Sequence, residues 1–236
     1  MNKRKSRKTE EGVILLALML CFSVGCSSFW TSVREGERSR SVKQANTYFK
    51  DGRCGRVLNQ LDRAEAAPDL GSYGAQATYQ RAVCLENLGH KESARANYWM
   101  VVDFYPDSPM KSLALKKLGR SGDQRSLSAI QGEVSSLPIL PDIEIPSPRY
   151  SETAERSALV GDVILVFKMD SDEKVSDIRV VHMDHPLLAS WSIEAAAAAK
   201  IHEGAPKPDL PVQTVARLVF TSFWHGDGEE APDQTR

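Results

Sequence analysis

His182, Asp184 and His185 form the densest grouping of metal-ligand side chains in the chain. A structural zinc site takes four ligands in tetrahedral array; three donors in one turn beside Pro186 fall short of that, so the stretch reads as a solvated loop. Asp170-Ser171-Asp172-Glu173 opens as a calcium loop does, but the central glycine and the distal bidentate glutamate that complete such a loop are missing. An acidic hairpin turn is the simpler reading. Neither a glycine-rich phosphate cradle nor a Gly-x-Ser-x-Gly elbow is present, and no catalytic constellation emerges. The sequence implies no enzyme, no cofactor and no resident metal, which leaves cysteine chemistry and binding surfaces.

Cysteines stand at 21, 26, 54 and 84, and the N-terminal segment decides the fate of the first two. Lys3, Arg4, Lys5, Arg7 and Lys8 make a basic head, Val13 to Val24 an apolar run of 12, and Ser23-Val24-Gly25-Cys26-Ser27-Ser28 a small-residue close. That order is an export signal. The run falls short of the about 20 apolar residues a spanning helix needs. Val24-Gly25-Cys26 resembles the bacterial lipoprotein signal, with Ser23 where that family usually has leucine. The resemblance implies a signal peptide over 1–25, lipidation of Cys26 and a periplasm-facing place in the bacterial cell envelope. Ser27 after the cysteine points, by the same resemblance, to the outer membrane. Cleavage without lipid and a retained membrane anchor are the alternatives. In that oxidising setting Cys54 and Cys84 are a candidate disulfide, two separately buried thiols being the other reading.

Removing residues 1–25 leaves 25 basic and 29 acidic side chains, a net charge of −4. A nucleic-acid binder normally concentrates positive charge on one face, so that partner class is not expected. About 210 mature residues suit two small domains.

From Ala77 to Pro106 small and bulky residues recur at fixed offsets: Ala82 and Leu85, then Gly89 at a turn, then Ala94, Tyr98 and Val101, with Pro106 as the stop. Small residues let antiparallel helices approach while Leu85 and Tyr98 fill the space between them. The pattern resembles a tetratricopeptide repeat. A weaker copy lies about 37 residues upstream at Ala45, Tyr48, Gly52, Val57, Leu61, Ala64 and Pro68. Met110 to Leu118 would cap the stack, giving an all-α helical domain over 38–120. A generic helical hairpin bundle is the alternative. Repeat stacks offer concave surfaces to peptides, so protein binding is implied.

Residues 121–149 read as a Pro/Ser-containing linker. Leu137 to Pro146 carries the alternation of an extended, polyproline-like spacer, whose apolar residues have the option of lying along a domain. Residues 150–224 then read strand, turn, strand, helix, strand. Val163, Leu165, Phe167 and Met169 alternate through the first strand, Asp170 to Lys174 turns, and Val175 to Val181 returns. His185-Pro186 opens a helix running to about Lys200, and Val212 to Phe223 forms a last strand. The order is that of a small α+β domain. Together with Gly161-Asp162-Val163, Phe167-Lys168-Met169-Asp170, Val175 to Val181 and His185-Pro186-Leu187-Leu188, it resembles the TonB C-terminal domain family. Glu173 stands where the family generally has glycine, and Ala199-Lys200-Ile201 replaces its Trp-Arg-Phe. The core is therefore expected to be less tightly packed, or filled by Trp191 or Trp224 instead. In the family this domain meets outer-membrane receptors by strand addition at a sheet edge. The resemblance thus implies Val215, Arg217, Val219 and Thr221 as candidate recognition positions, the alternative being a core strand with a wet outer face. Residues 225–236 are expected as a disordered tail. The implied function is an envelope scaffold or interaction lipoprotein binding other envelope proteins or peptides. The alternative is an energy-transducer subunit coupling an inner-membrane motor to outer-membrane receptors.

Overall fold

Two helical hairpins are closed by the same turn. Residues 33–50 form α1 and Cys54–Glu65 form α2; Gly74–Asn87 form α3 and Lys91–Phe104 form α4. Gly52 and Gly89 occupy the left-handed region at φ 69° and 89°. The next residue in each case donates to the carbonyl five positions back: Arg53 N to Tyr48 O and His90 N to Leu85 O, both at 2.9 Å. This closure satisfies carbonyls that a helix end leaves orphaned, and it needs a residue that tolerates positive φ. The two turns lie 37 residues apart.

Small residues set how closely these helices pack. Ala45, Val57, Leu61, Ala77 and Cys84 are buried together between α1, α2 and α3. Ala82, Leu85, Ala94, Tyr98 and Val101 are buried with Ala114 and Leu118 of α5, which spans Met110–Leu118.

These elements come from a computed structural model that describes residues 33–66, 73–119, 125–140, 142–150, 157–204 and 210–221. The expected export signal over 1–25, Cys26, Pro68, Trp224 and the expected tail over 225–236 lie outside the described residues.

The expected extended spacer is in part helical. Ser126 caps a helix, α6, over Leu127–Glu133, its side-chain oxygen accepting from Ala129 N at 3.3 Å, and a 3₁₀ turn over Val134–Ser136 follows. Ile130 buries against Val166 and Val181, with Leu127, Val134, Leu137, Ile164 and Val215 around it. Leaving that row of apolar sheet residues in water would be unfavourable by about 25 cal/mol per Å². Cover for the sheet explains why the segment folds here rather than stretching out.

The main sheet is antiparallel in the order β3–β2–β5, with β2 at Gly161–Met169, β3 at Val175–Met183 and β5 at Val212–Phe220. A two-stranded ribbon pairs β1, Ile143–Glu144, with β4, Lys200–Ile201. The last helix, α7, spans Pro186–Ala197, shorter than the run to Lys200 expected from alanine content. Lys200 and Ile201 pair with Glu144 and Ile143 instead, a long-range contact that helix propensity does not register. The described residues thus hold seven helices and two small antiparallel sheets.

Val163, Leu165, Phe167 and Met169 of β2 point to one face, where α7 places Leu187, Leu188, Trp191 and Ile193. Trp191 fills this core, its ring edge-on to Tyr150 at 6.0 Å. Ala96 and Met100 of α4 join the same cluster, so helical and sheet halves share one apolar core. The hairpin turn resolves the departure at Glu173: its φ is 61°, and the turn is held by Asp170, whose Oδ1 accepts from Asp172 N and Lys174 N at 3.0 and 2.9 Å. The acidic cluster is turn chemistry.

Candidate functional site at the open sheet edge

A three-stranded sheet has two edges, each a row of unpaired backbone groups able to take another strand. In this chain α4 covers the edge at β3. Arg179 lies on β3 with 1% of its surface exposed, and its Nε and Nη2 donate to Asp103 Oδ2 of α4 at 3.2 and 2.8 Å. Its guanidinium stacks 4.1 Å above the ring of Trp99, also on α4. Arg95 of α4 donates to Asp177 of β3 at 2.6 Å, and Ser190 Oγ of α7 donates to Asn97 Oδ1 at 2.9 Å. Burial pushes the Asp103 carboxyl above the usual carboxylate range, against the pull of Arg179.

The opposite edge, β5, is closed at one end and open at the other among the described residues. Val215 N donates to Pro138 O at 3.4 Å, and Thr214 Oγ1 donates to the same carbonyl at 2.8 Å. In an antiparallel ladder hydrogen-bonded and non-hydrogen-bonded pairs alternate. With Val215 opposite Val166 and Val219 opposite Asp162, the outward bond at Val215 means that Arg217 and Val219 also direct their backbone N–H and C=O away from β2. Thr221 follows in the same phase. The four positions named from sequence therefore share the outward phase, but they divide in use. Val215 is removed from the candidate set: Pro138 takes its N–H, and its side chain packs with the Ile130 cluster under α6. Arg217, Val219 and Thr221 are exposed.

Arg217 is tied back to β2 by an ion pair with Asp162, which fixes the guanidinium beside the ladder. Val219 is 48% exposed, and so is Val160, just before β2 on the same sheet face and diagonal to it. An apolar corner with an adjacent cation–carboxylate pair suits an extended segment carrying a β-branched or aromatic residue, since diagonal neighbours across a ladder lie within reach of such side chains. Val160 was not singled out from sequence, and Asp162 entered only within the Gly161-Asp162-Val163 resemblance, not as a binding position. Their alternation with Val163 and Leu165 was the available signal.

Near this corner Gly161 permits a close approach. A Cβ there would stand 2.7 Å from Asp184 Cβ, while Asp184 Oδ2 accepts from Asp162 N at 2.8 Å. Asp184 thus anchors the start of β2. His182 Nε2 lies 3.3 Å from Asp184 Oδ1, both side chains being exposed, and His185 is buried as the cap of α7, its Nδ1 accepting from Leu187 N at 3.1 Å. The three potential metal ligands are therefore divided between strand anchoring and helix capping.

Cys54 and Cys84 come together as well. Both are buried as free thiols in the cluster between α1, α2 and α3, and Asn87 Nδ2 donates to Cys54 Sγ at 3.7 Å. Burial, with the Cys54 side chain as hydrogen-bond partner, pushes the Cys84 thiol far above its ordinary value. A second group of charges was not anticipated. Arg81 of α3 meets Asp62 of α2 at 2.8 Å and also pairs with Glu65, all three buried, and Arg149 approaches Asp62 at 3.4 Å. Burial works against the Arg81 charge, but Glu65 and Asp62 outweigh it and hold the guanidinium above its usual value. Burial pushes the Glu65 carboxyl up, and likewise Glu194 of α7, in each case against the pull of Arg81. The hydrophobic spacing of α2 and α3 gave no sign that charges would lie beneath it.

In comparisons with protein-family models, curated proteins and solved structures, nothing matches this chain.

Proposed function

We propose that this chain is an exported, membrane-anchored binding protein of a bacterial envelope, and that it takes extended polypeptide segments on the free edge of β5. The observation that carries the reading is the asymmetry of the sheet: α4 covers β3, while Arg217, Val219 and Thr221 keep outward backbone groups beside an exposed apolar corner. Strand addition draws affinity from such backbone groups and specificity from alternating side chains. The export signal with its cysteine at 26 supports the location, and the order strand, turn, strand, helix, strand supports the likeness to the TonB C-terminal domain. Two helical hairpins on one turn, 37 residues apart, support the tetratricopeptide-like reading of the first half, a second protein-binding surface. No catalytic step is assigned.

A photo-crosslinking residue at Thr221 in cells tests this directly. Adducts with exported polypeptides are expected, and Val219→Pro, which removes an outward donor while sparing the ladder to β2, should abolish them. Absence of adducts from a correctly exported protein would refute the edge as the binding site. An unprocessed chain found only in the cytosol would refute the location.

A further inference from the structure

The first helical hairpin is the cationic pole of an otherwise acidic protein. Between residues 33 and 65 eight cations stand against five carboxylates, a net of +3; from residue 66 onward 17 cations face 24 carboxylates, a net of −7. The cations are displayed, not consumed. On α1, Arg40, Lys43 and Lys50 follow one another at helical spacing on an exposed face, opposite the buried Val42 and Ala45. Arg53 at the turn and Arg56 and Arg63 on α2 are exposed too, with Arg56 over the Tyr48 ring at 5.5 Å. Among the described residues none of these six side chains is within ion-pair distance of a carboxylate, whereas Lys117 and Arg217, elsewhere on the surface, are paired with Glu86 and Asp162. The two acids buried within the hairpin, Asp62 and Glu65, are spent on Arg81.

Position gives this pole its partner. Six residues lie between Cys26 and Val33, and the seven Cα-to-Cα steps from one to the other reach at most about 23 Å at about 3.3 Å each. We infer that the α1–α2 hairpin lies against the membrane that holds the chain and that Arg40, Lys43, Lys50, Arg53, Arg56 and Arg63 contact anionic lipid headgroups. The inference rests on the anchored location proposed above. Each cation close to an anionic surface strengthens partitioning roughly fivefold, so the hairpin sets which way the protein faces. The acidic remainder is then repelled from the surface.

The full chain reconstituted into phosphatidylglycerol or phosphatidylcholine vesicles tests this, with a membrane-impermeant amine-acylating reagent and peptide mass mapping as the readout. Labelling of Lys43 and Lys50 should fall several-fold on the anionic vesicles relative to the zwitterionic ones, and Lys116 on α5 should label equally on both. At about 1 M salt, where screening acts within about 3 Å, the protection should vanish. The triple variant Arg40→Gln, Arg53→Gln, Arg56→Gln, at three exposed sites, should lose it at low salt. Equal labelling of Lys43 and Lys50 on both vesicle types would overturn the inference while leaving the anchor intact. Flotation with anionic vesicles alone would support the cationic pole and overturn the anchor, and flotation with neither would overturn both.

Discussion

Arg179→Leu should uncouple the two halves of the molecule at a calculable cost. Arg179 and Asp103 are both buried, and the substitution removes two hydrogen bonds to Asp103, one at 3.3 Å to the Arg125 carbonyl, and the stacking on Trp99. Breaking a buried ion pair by deleting one partner costs about 3–5 kcal/mol, because a charge is left without compensation. The lost cation–π contact adds about 1–2 kcal/mol, and a buried leucine returns about 1.5–3 kcal/mol if it fits. The net expectation is a loss of about 3 kcal/mol, or roughly 6–12 °C in Tm for a chain of this size. The sign of the pH dependence follows from Asp103. Burial raises its carboxyl above the unfolded value, so the stability it contributes is fully present below the ordinary carboxylate range and is lost as pH rises through the raised value. Without Arg179 that value moves further up. The penalty of Arg179→Leu should therefore be small in acid and complete only at neutral pH. Urea unfolding of the wild type, the single variant and Arg179→Leu/Asp103→Leu across that range checks it, with the double variant within about 1 kcal/mol of wild type. A loss under about 1 kcal/mol at neutral pH, or one independent of pH, would refute the claim that this pair seats α4 on the edge of β3.

Gly161→Ala should destabilise by about 1–3 kcal/mol in urea unfolding, because its Cβ meets Asp184 Cβ at 2.7 Å. Val219→Pro should cost under about 1 kcal/mol, whereas Leu218→Pro, whose N–H turns toward Val163 of β2, should cost about 3 kcal/mol or more by the same measurement. Glu194→Gln should raise stability at neutral pH and leave it unchanged in acid, since burial raises the Glu194 carboxyl and its ionised form opposes folding; thermal melts at several pH values decide. Differential alkylation with peptide mass mapping should find Cys54 and Cys84 unreactive when folded and both alkylated after unfolding without reductant, as buried free thiols require; a peptide pair linked through them would show a disulfide instead.

Local features were legible in the residues. The glycines at 52 and 89 announced helix ends because few other residues accept the positive φ of that closure, and the alternation from Val163 to Met169 announced a strand with one buried face. Asp170 to Lys174 read as an acidic turn, and the structure supplies the reason in the two backbone N–H groups that Asp170 accepts. Misreadings came where a distant partner outweighed local preference. Alanine content extended α7 to Lys200, but pairing of Lys200 and Ile201 with β1 ends it earlier. Prolines and serines made 121–149 look like a spacer, yet Ile130 had a sheet face to cover.

The sequence by itself determined the helical hairpins, the strand alternation and the phase of Val215, Arg217, Val219 and Thr221, because each depends on residues within a few positions of one another. Tertiary structure alone decided which of those positions stay available. Pro138 reaches Val215 across 77 residues, and Asp103 reaches Arg179 across 76. Such contacts leave no periodic trace in a single chain, since the residues making them satisfy local preference equally well apart. Sequence thus named the outward row of β5, and long-range packing selected the half of it that remains open.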